Sequence, residues 1–296
     1  MQTKRQVREL LASVGVSPNR RYGQHFLVDL NLMRFLVDAA GIDPADTVLE
    51  VGCGTGSITQ ALAERAKRVV AVDVDPTLAA LAQSQLADLP NVHLINEDIL
   101  SNKGTLNPVV VEALDGPRRP GEGRLLLVAN LPYDVASALM LNLAKGPVIA
   151  DEMVVTVQKE VGQRMEAAPR SRDYGTLSIL LGATGTARTL RILKPSVFWP
   201  PPGVDSAIVQ FVREPEKCAA IRDMAILGEV VNLFIGHRRK MLRACAKHAP
   251  AALGSRNRWM ERFAQCGIDP EQRLEALWPS QYVELANLCV SDNSKP

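Results

Sequence analysis

Cysteine is scarce and scattered: five residues, at 53, 218, 245, 266 and 289, odd in number and with no Cys-x-x-Cys pair. That pattern argues against a disulfide framework and a structural zinc site. Long apolar runs are missing as well. The best, Val69–Val72 and Leu125–Ala129, fall far short of the ~18 residues that a membrane-crossing helix needs. The opening residues, Met1 to Leu10, contain no apolar h-region of the secretory kind. Internal repeats and low-complexity tracts are absent. The expectation is a soluble, cytoplasmic, monomeric protein with reduced thiols. What is present is an ordinary globular composition, 47% hydrophobic and 22% charged over 296 residues. This excludes wholesale disorder. At roughly 150 residues per domain it points to two domains.

The net charge of +2 conceals a segregation. Residues 1–21 carry Lys4, Arg5, Arg8, Arg20 and Arg21 against Glu9 alone, a local charge of +4. Residues 234–273 carry nine Lys/Arg against Glu261, Asp269 and Glu271, or +6, while 22–233 sum to −6. Basic ends around an acidic middle suggest a polyanion held at the ends, because phosphates attract clustered Lys and Arg from a distance. A solvated helical face is the competing reading. The compact cluster Arg238, Arg239, Lys240 and Arg243 falls on a predicted helix.

The middle of the chain alternates short β-rich runs with helical patterns, as a parallel α/β sheet with helices on both faces requires. Thr47–Val51, Val69–Val74, Val92–Asn96, Leu125–Ala129 and Met153–Val157 read as strands, with Ser206–Val212 ending the sheet. Helices fit at Ser57–Arg65, from Pro76, at Ala136–Leu143 and at Lys159–Met165. The breaker-rich stretch 115–123 reads as a surface loop. After Glu214 the strands stop. Ile221–Ile235, Arg239–Lys247, Ser255–Gln265 and Pro279–Leu288 have helical periodicity. The predicted domains are 1–213, with a basic extension over 1–21, and a helical 214–296.

Glu50-Val-Gly52-Cys-Gly54-Thr-Gly56 ends the first strand and opens a helix. Glycines there let the backbone turn sharply and approach a ligand closely. Asp73 ends the next strand 21 residues after Gly52, where a carboxylate can accept both hydroxyls of a ribose. Asp98 follows the third strand and is placed either to meet an adenine edge or to cap a helix. Together these point to a nucleoside cofactor; the glycine turn alone suits both nicotinamide and S-adenosylmethionine folds.

Asn130-Leu131-Pro132-Tyr133 separates those two. It follows the fourth strand at the carboxyl edge of the sheet, where α/β folds place their sites. An exocyclic amine such as adenine N6 is a poor nucleophile because its lone pair is delocalised into the ring. An Asn oxygen and a neighbouring backbone carbonyl can accept its two N–H bonds and localise that pair. Pro132 fixes the turn. Tyr133 offers a face for an extruded base.

With these residues in view, the chain resembles the small-subunit ribosomal RNA adenine-N6,N6-dimethyltransferases, which use S-adenosylmethionine. The resemblance covers nearly the whole chain: Tyr22–Leu27, Val48–Gly56, Glu97-Asp98, Asn130–Tyr133, Gln158–Glu160, Tyr174–Ser178, Phe198–Ser206 and Phe234–Leu242. It implies that His25 and Leu27 close over the methyl donor, with Gly52 and Gly54 beneath it. Asp73 would hold the ribose, Asp98 would meet the cofactor's adenine, and Asn130 would serve both cofactor and target. Tyr133 and Phe198 would be the stacking faces, with Pro200–Pro202 holding Phe198 at the rim. Arg20, Arg21, Arg238, Arg239, Lys240 and Arg243 would bind RNA in the small ribosomal subunit, without metal or membrane. The family usually has Asn where this chain has His25, and a small polar residue where it has Trp199. A macrolide-resistance-type large-subunit enzyme, a non-enzymatic factor on the same fold and a nicotinamide-dependent oxidoreductase are the rival readings.

Overall fold

A computed structural model describes residues 1–19, 22–102, 104–114 and 123–293. The elements in chain order begin with α1 (Lys4–Ser13), β1 (Phe26–Leu27), α2 (Leu30–Ala39), β2 (Thr47–Val51), α3 (Ser57–Ala63), β3 (Arg68–Val72) and α4 (Pro76–Gln85). Next come β4 (Val92–Ile95), β5 (Leu100–Asn102), β6 (Thr105–Leu106), α5 (Pro108–Leu114), β7 (Leu125–Asn130), α6 (Ala136–Lys145), β8 (Glu152–Gln158) and α7 (Lys159–Glu166). The remainder are α8 (Thr176–Thr184), β9 (Gly185–Leu193), β10 (Phe198–Trp199), β11 (Ser206–Arg213), α9 (Pro215–Ala219), α10 (Met224–Ile235), α11 (Leu242–Cys245), α12 (Arg256–Gln265) and α13 (Pro279–Asn293). Most of the loop expected at 115–123 lies outside the described residues. Among the described residues no helix is long and apolar enough to cross a membrane.

The seven-stranded sheet runs β4-β3-β2-β7-β8-β11-β9. β4, β3, β2, β7 and β8 are parallel, and β11 is antiparallel to β8. Two expectations are corrected here. β11 does not end the sheet, because β9, which sequence periodicity did not reveal, lies outside it. Nor is the sheet wholly parallel. The inner parallel strands β3 and β7 are apolar without alternation because both faces are covered, whereas edge strand β4 leaves His93 exposed. Val48, Val69, Leu126, Val128 and Val154 point into a core shared with Leu36 and Val37 of α2 and Leu62 of α3. Their neighbours Leu49, Val70, Leu127 and Val155 are equally buried on the opposite face.

The strand order explains where a ligand can enter. From β2 the chain moves one way through β3 and β4, then returns to place β7 on the other side of β2. The strand order therefore reverses between β2 and β7, and connections leaving in opposite directions open a crevice at their carboxyl ends. Gly52–Gly56 leaves the end of β2, and Asn130–Tyr133 leaves the end of β7.

The chain forms two compact units. One is Met1–Gly162 with Arg188–Val212; the other is Gln163–Ala187 with the chain from Arg213 onward. The last change of unit lies between Val212 and Arg213, and 163–187, including α8, clusters with the helical unit and not with the rest of 1–213. That unit packs α8, α10 and α13 together. At its centre the Phe234 ring meets Trp259 edge-on at 5.3 Å and Tyr282 at 6.2 Å. Buried Arg262 places its guanidinium over Trp259 and donates to the Leu253 carbonyl at 2.6 Å. The expected helix over 239–247 is shorter: 236–240 form turns after α10, and the helix begins at Leu242. Arg238, Arg239 and Lys240 therefore project from a turn.

Candidate active site

Gly52 and Gly54 adopt φ of 76° and 58°, a region that L side chains rarely occupy. Space excludes a side chain as well. A Cβ on Gly52 would lie 3.1 Å from the Pro132 ring, and one on Gly54 would lie 3.0 Å from the Phe26 ring. The turn after β2 is thus packed directly against the turn after β7 and against β1. A cavity of about 200 Å³ opens there, lined by His25, Leu27, Gly52, Gly54, Asp73, Asp98 and Asn130–Tyr133. All of the residues expected to hold cofactor line this one space, as do Asn130, Leu131, Pro132 and Tyr133 of the expected catalytic set; Phe198, its fifth member, does not.

Each carboxylate has a defined setting. Asp73, 6% exposed, accepts the Gly54 N–H at 2.7 Å with one oxygen and the Asp75 N–H at 2.9 Å with the other. It braces the glycine turn from below. Burial pushes its carboxyl up, against the pull of those two amides. Asn96, expected only as a strand end, donates to the Asp73 carbonyl at 2.8 Å and holds the end of β3. Asp98 is exposed and caps no helix; it accepts the Leu100 N–H at 2.9 Å. Glu50 also lines the cavity, 1% exposed, and its Oε2 has no hydrogen-bond partner. Burial, with the Asp73 charge adding to it, pushes its carboxyl up to about 8. At neutral pH Glu50 is mostly protonated.

The turn after β7 is held from both sides. The Asn130 Nδ2 donates to the His25 carbonyl at 2.9 Å, which leaves Oδ1 as the acceptor. The Leu131 N–H donates to the Thr156 carbonyl at 3.1 Å. The Tyr133 hydroxyl hydrogen-bonds the Ser206 hydroxyl at 2.7 Å, and its ring lies against the His25 ring, 5.9 Å between centroids. Burial pushes the Tyr133 phenol up. The His25 Nδ1–H donates to the Pro200 carbonyl at 2.7 Å, so the imidazole is oriented by the proline segment.

Phe198 is placed differently from the expectation. It is 3% exposed, pairs across from Leu27 and packs into the core, without lining the cavity. Two aromatic residues in a row cannot both face the site on an extended strand, because successive side chains point to opposite faces. Its neighbour Trp199 stacks on Phe26, with 6.3 Å between centroids, and joins the cluster of Val7, Leu11, Leu78 and Leu81. Pro200 orients His25 in place of Phe198. The other surprise is α1. Its Val7 and Leu11 pack onto α4, and Val7 reaches the cavity wall. Gln2 donates its N–H to the Ser57 hydroxyl at 2.7 Å and accepts from the Thr55 hydroxyl at 2.6 Å, tying the chain's start to the glycine turn. The apolar spacing of Val7, Leu10 and Leu11 was the available signal.

Arg20 and Arg21 lie outside the described residues. Arg238 and Lys240 are exposed but engaged: Arg238 donates to the Arg172 carbonyl at 2.9 Å, and Lys240 to His248 at 2.7 Å. Arg243 pairs with Glu271 at 2.7 Å. Among the described residues no group of three or more His, Cys, Asp or Glu is disposed to hold a metal ion.

Comparison with known proteins agrees with this arrangement. The family model for ribosomal RNA adenine dimethylase matches residues 15–290. The ribosomal RNA small subunit methyltransferase A of Pelotomaculum thermopropionicum is 36% identical over 282 residues, covering 95% of this chain and 94% of its own. Its namesake from Bacillus cytotoxicus is 32% identical over 295 residues, covering 99% and 98%. Among solved structures, a dimethyladenosine transferase from Plasmodium falciparum superposes with a TM-score of 0.68 at 22% identity, covering 88% of this chain and 96% of that one. The 23S rRNA methyltransferase ErmE gives 0.61 at 23%, covering 90% and 99%. The two structural likenesses speak to the fold alone. The sequence matches run through the glycine turn, Asn130–Tyr133 and the helical unit alike, and by them this chain belongs to the ribosomal RNA adenine dimethylase family.

Proposed function

We propose that the protein transfers methyl groups from S-adenosylmethionine to the N6 amines of two adjacent adenosines in a loop of small-subunit ribosomal RNA. The observation that carries this reading is the Asn130 amide, fixed by the His25 carbonyl at the β2/β7 crevice with its oxygen left to accept. Near-full-length relatives named for the small subunit favour that subunit over the large one. The likeness to ErmE is one of fold.

The cavity suits such a cofactor. Gly52 and Gly54 give backbone with no Cβ in the way, and Asp98 offers an exposed carboxylate. Asp73 uses two of its roughly four acceptor positions on amides and keeps the others for ribose hydroxyls. Glu50 Oε2, buried and unpartnered, adds a polar group against the same space. When bound, S-adenosylmethionine supplies a methyl group on a sulfonium, already a strong electrophile.

The chain's own residues then act by position. Asn130 Oδ1 accepts one N–H of the adenine amine and the backbone of the turn accepts the other, which aims the lone pair. Tyr133 supports the base from one face, and the Ser206 hydroxyl holds that ring in place. The amine has two hydrogens and takes two methyls in turn, each proton passing to water or to a turn carbonyl. Catalysis of this kind comes from orientation and exclusion of water. The target bases must leave their stack, so looped, single-stranded RNA is the substrate form. The helical unit, with the turn at Arg238–Lys240, carries phosphate contacts.

Incubation with labelled S-adenosylmethionine and unmethylated small or large subunits tests the reading. Label is expected in adenosines of the small-subunit RNA only. Label in the large subunit, or none in either, overturns it.

A further inference from the structure

Trp278 is 60% exposed, an indole standing in water on the helical unit. Its backbone is anchored on every side. Its N–H donates to Gln281 Oε1 at 3.0 Å, and the Leu277 carbonyl beside it accepts from the buried Tyr174 hydroxyl at 2.7 Å. Pro279, next in the chain, packs so closely on Gly182 that a Cβ there would lie 2.8 Å away. A lone exposed apolar residue needs no explanation. This one has company.

The segment Ala168–Asp173 docks against the same stretch. The Arg170 N–H donates to the Glu275 carbonyl at 2.6 Å. Arg170 has φ of 69°, the one positive value at a non-glycine position among the described residues. Glycine suits such a turn better than any residue with a Cβ. An exposed arginine there holds a backbone conformation that its side chain disfavours. Two residues on, the Arg172 carbonyl accepts from Arg238, whose other terminal nitrogen sits 3.8 Å from where a Cβ on Gly175 would be. Arg170, Arg172 and Arg238 are exposed; of the acidic residues in segments 168–173 and 275–278, Asp173 is exposed and Glu275 is half-buried with an enclosed Oε2.

We infer that Trp278, Arg170 and Arg172 form a docking platform for a single-stranded stretch of the substrate RNA, the indole stacking on a base while the guanidinium groups hold the flanking phosphates. An exposed flat ring on a stretch tied to a segment with exposed arginines suits single-stranded nucleic acid, since every base has a π-face and every linkage a charge. The inference rests on the proposed RNA substrate and adds a contact surface distinct from the cavity.

The test uses the full-length protein and its Trp278→Ala, Trp278→Phe, Arg172→Gln and Arg170→Gly variants. Binding of unmethylated small subunits and of a labelled single-stranded oligoribonucleotide is measured over a range of salt. Trp278→Ala is expected to weaken both by about five- to 150-fold, the span of one base stack, and Trp278→Phe to recover most of the loss. Arg172→Gln and Arg170→Gly should each flatten the salt slope by about 0.7. Arg170→Gly should at the same time unfold at an equal or higher temperature, which a merely structural arginine would not allow. Wild-type binding by all four variants overturns the platform. Loss of binding to subunits with unchanged binding to free RNA also overturns it, and assigns the surface to a ribosomal protein. Failure of the unmutated protein to methylate either subunit is a failure of the enzymatic reading, and is seen before any variant is compared.

Discussion

The Asn130 side chain and the His25 backbone, 105 residues apart, are joined by a 2.9 Å hydrogen bond from Nδ2 to the carbonyl oxygen. The bond decides which end of the amide faces a substrate. Rotating the amide would set its oxygen against the His25 carbonyl, two acceptors with no proton between them. Asn130→Ala removes the acceptor and is expected to lower single-turnover methyl transfer by about a hundredfold or more, as small misplacements of reacting groups do. Subunit binding should be nearly unchanged, because phosphate contacts lie elsewhere. Transfer at the wild-type rate by this variant would sink the amine-orienting role.

Asp73 joins cofactor binding to turn architecture. Asp73→Ala is expected to reduce S-adenosylmethionine affinity more than tenfold by calorimetry. It should also lower stability, since the Gly54 and Asp75 amides lose an acceptor worth about 1.5–3 kcal/mol for each charged hydrogen bond. Lost affinity with intact stability would mean that the carboxylate serves ligand alone. Unchanged affinity in a folded variant would remove it from the site.

Tyr133 is predicted to act through its ring. Tyr133→Phe loses only the hydroxyl bond to Ser206, about 1 kcal/mol, and should remain largely active. Tyr133→Ala loses a stacking face worth about 1–3 kcal/mol and should slow transfer accordingly. Equal rates for the two variants in single-turnover assays would argue against stacking.

Glu50 predicts a pH dependence of stability. Its folded carboxyl titrates at about 8, against an ordinary value of 4.5. Between those values the unfolded chain has already lost the proton that the folded chain keeps. Stability contributed by this group therefore falls as pH rises, by up to about 1.4 kcal/mol per pH unit. Glu50→Gln should flatten denaturation midpoints across pH 5–8 and gain most, relative to wild type, at the alkaline end. An identical slope in the variant would place the proton elsewhere.

The turn after α10 predicts a salt effect. Arg239→Gln and Lys240→Gln should each lower the salt dependence of RNA binding by a slope of about 0.7, with cofactor affinity unchanged. Arg243→Gln should do less, because Glu271 already neutralises that charge. A salt slope that does not move in any of the three would mean a solvated surface.

Much of this was legible in the residues. A parallel strand buried on both faces is apolar on both, so β3 and β7 announced themselves as the uninterrupted runs Val69–Val72 and Leu125–Ala129. Glycines at Gly52 and Gly54 and the Asn130–Tyr133 turn identify themselves because few other residues can adopt those backbones or do that chemistry. The order of these pieces along the chain was enough to indicate the family.

Other features depend on partners distant in sequence. β9, with exposed and buried residues mixed and arginines at 188 and 191, has no strong period of its own and becomes a strand by taking its place beside β11. Phe198 and Trp199 are interchangeable aromatics in sequence. Pairing with β1 turns one into the core and the other onto Phe26. The run Arg238–Lys240 continues a helical pattern, yet α10 ends before it and the next helix begins only at Leu242. Residue type determined which chemistry the chain can perform, because glycine, asparagine and carboxylate have properties no neighbour can supply. Tertiary structure decided which way each group faces, because direction is set by hydrogen bonds and packing from elements that the sequence separates.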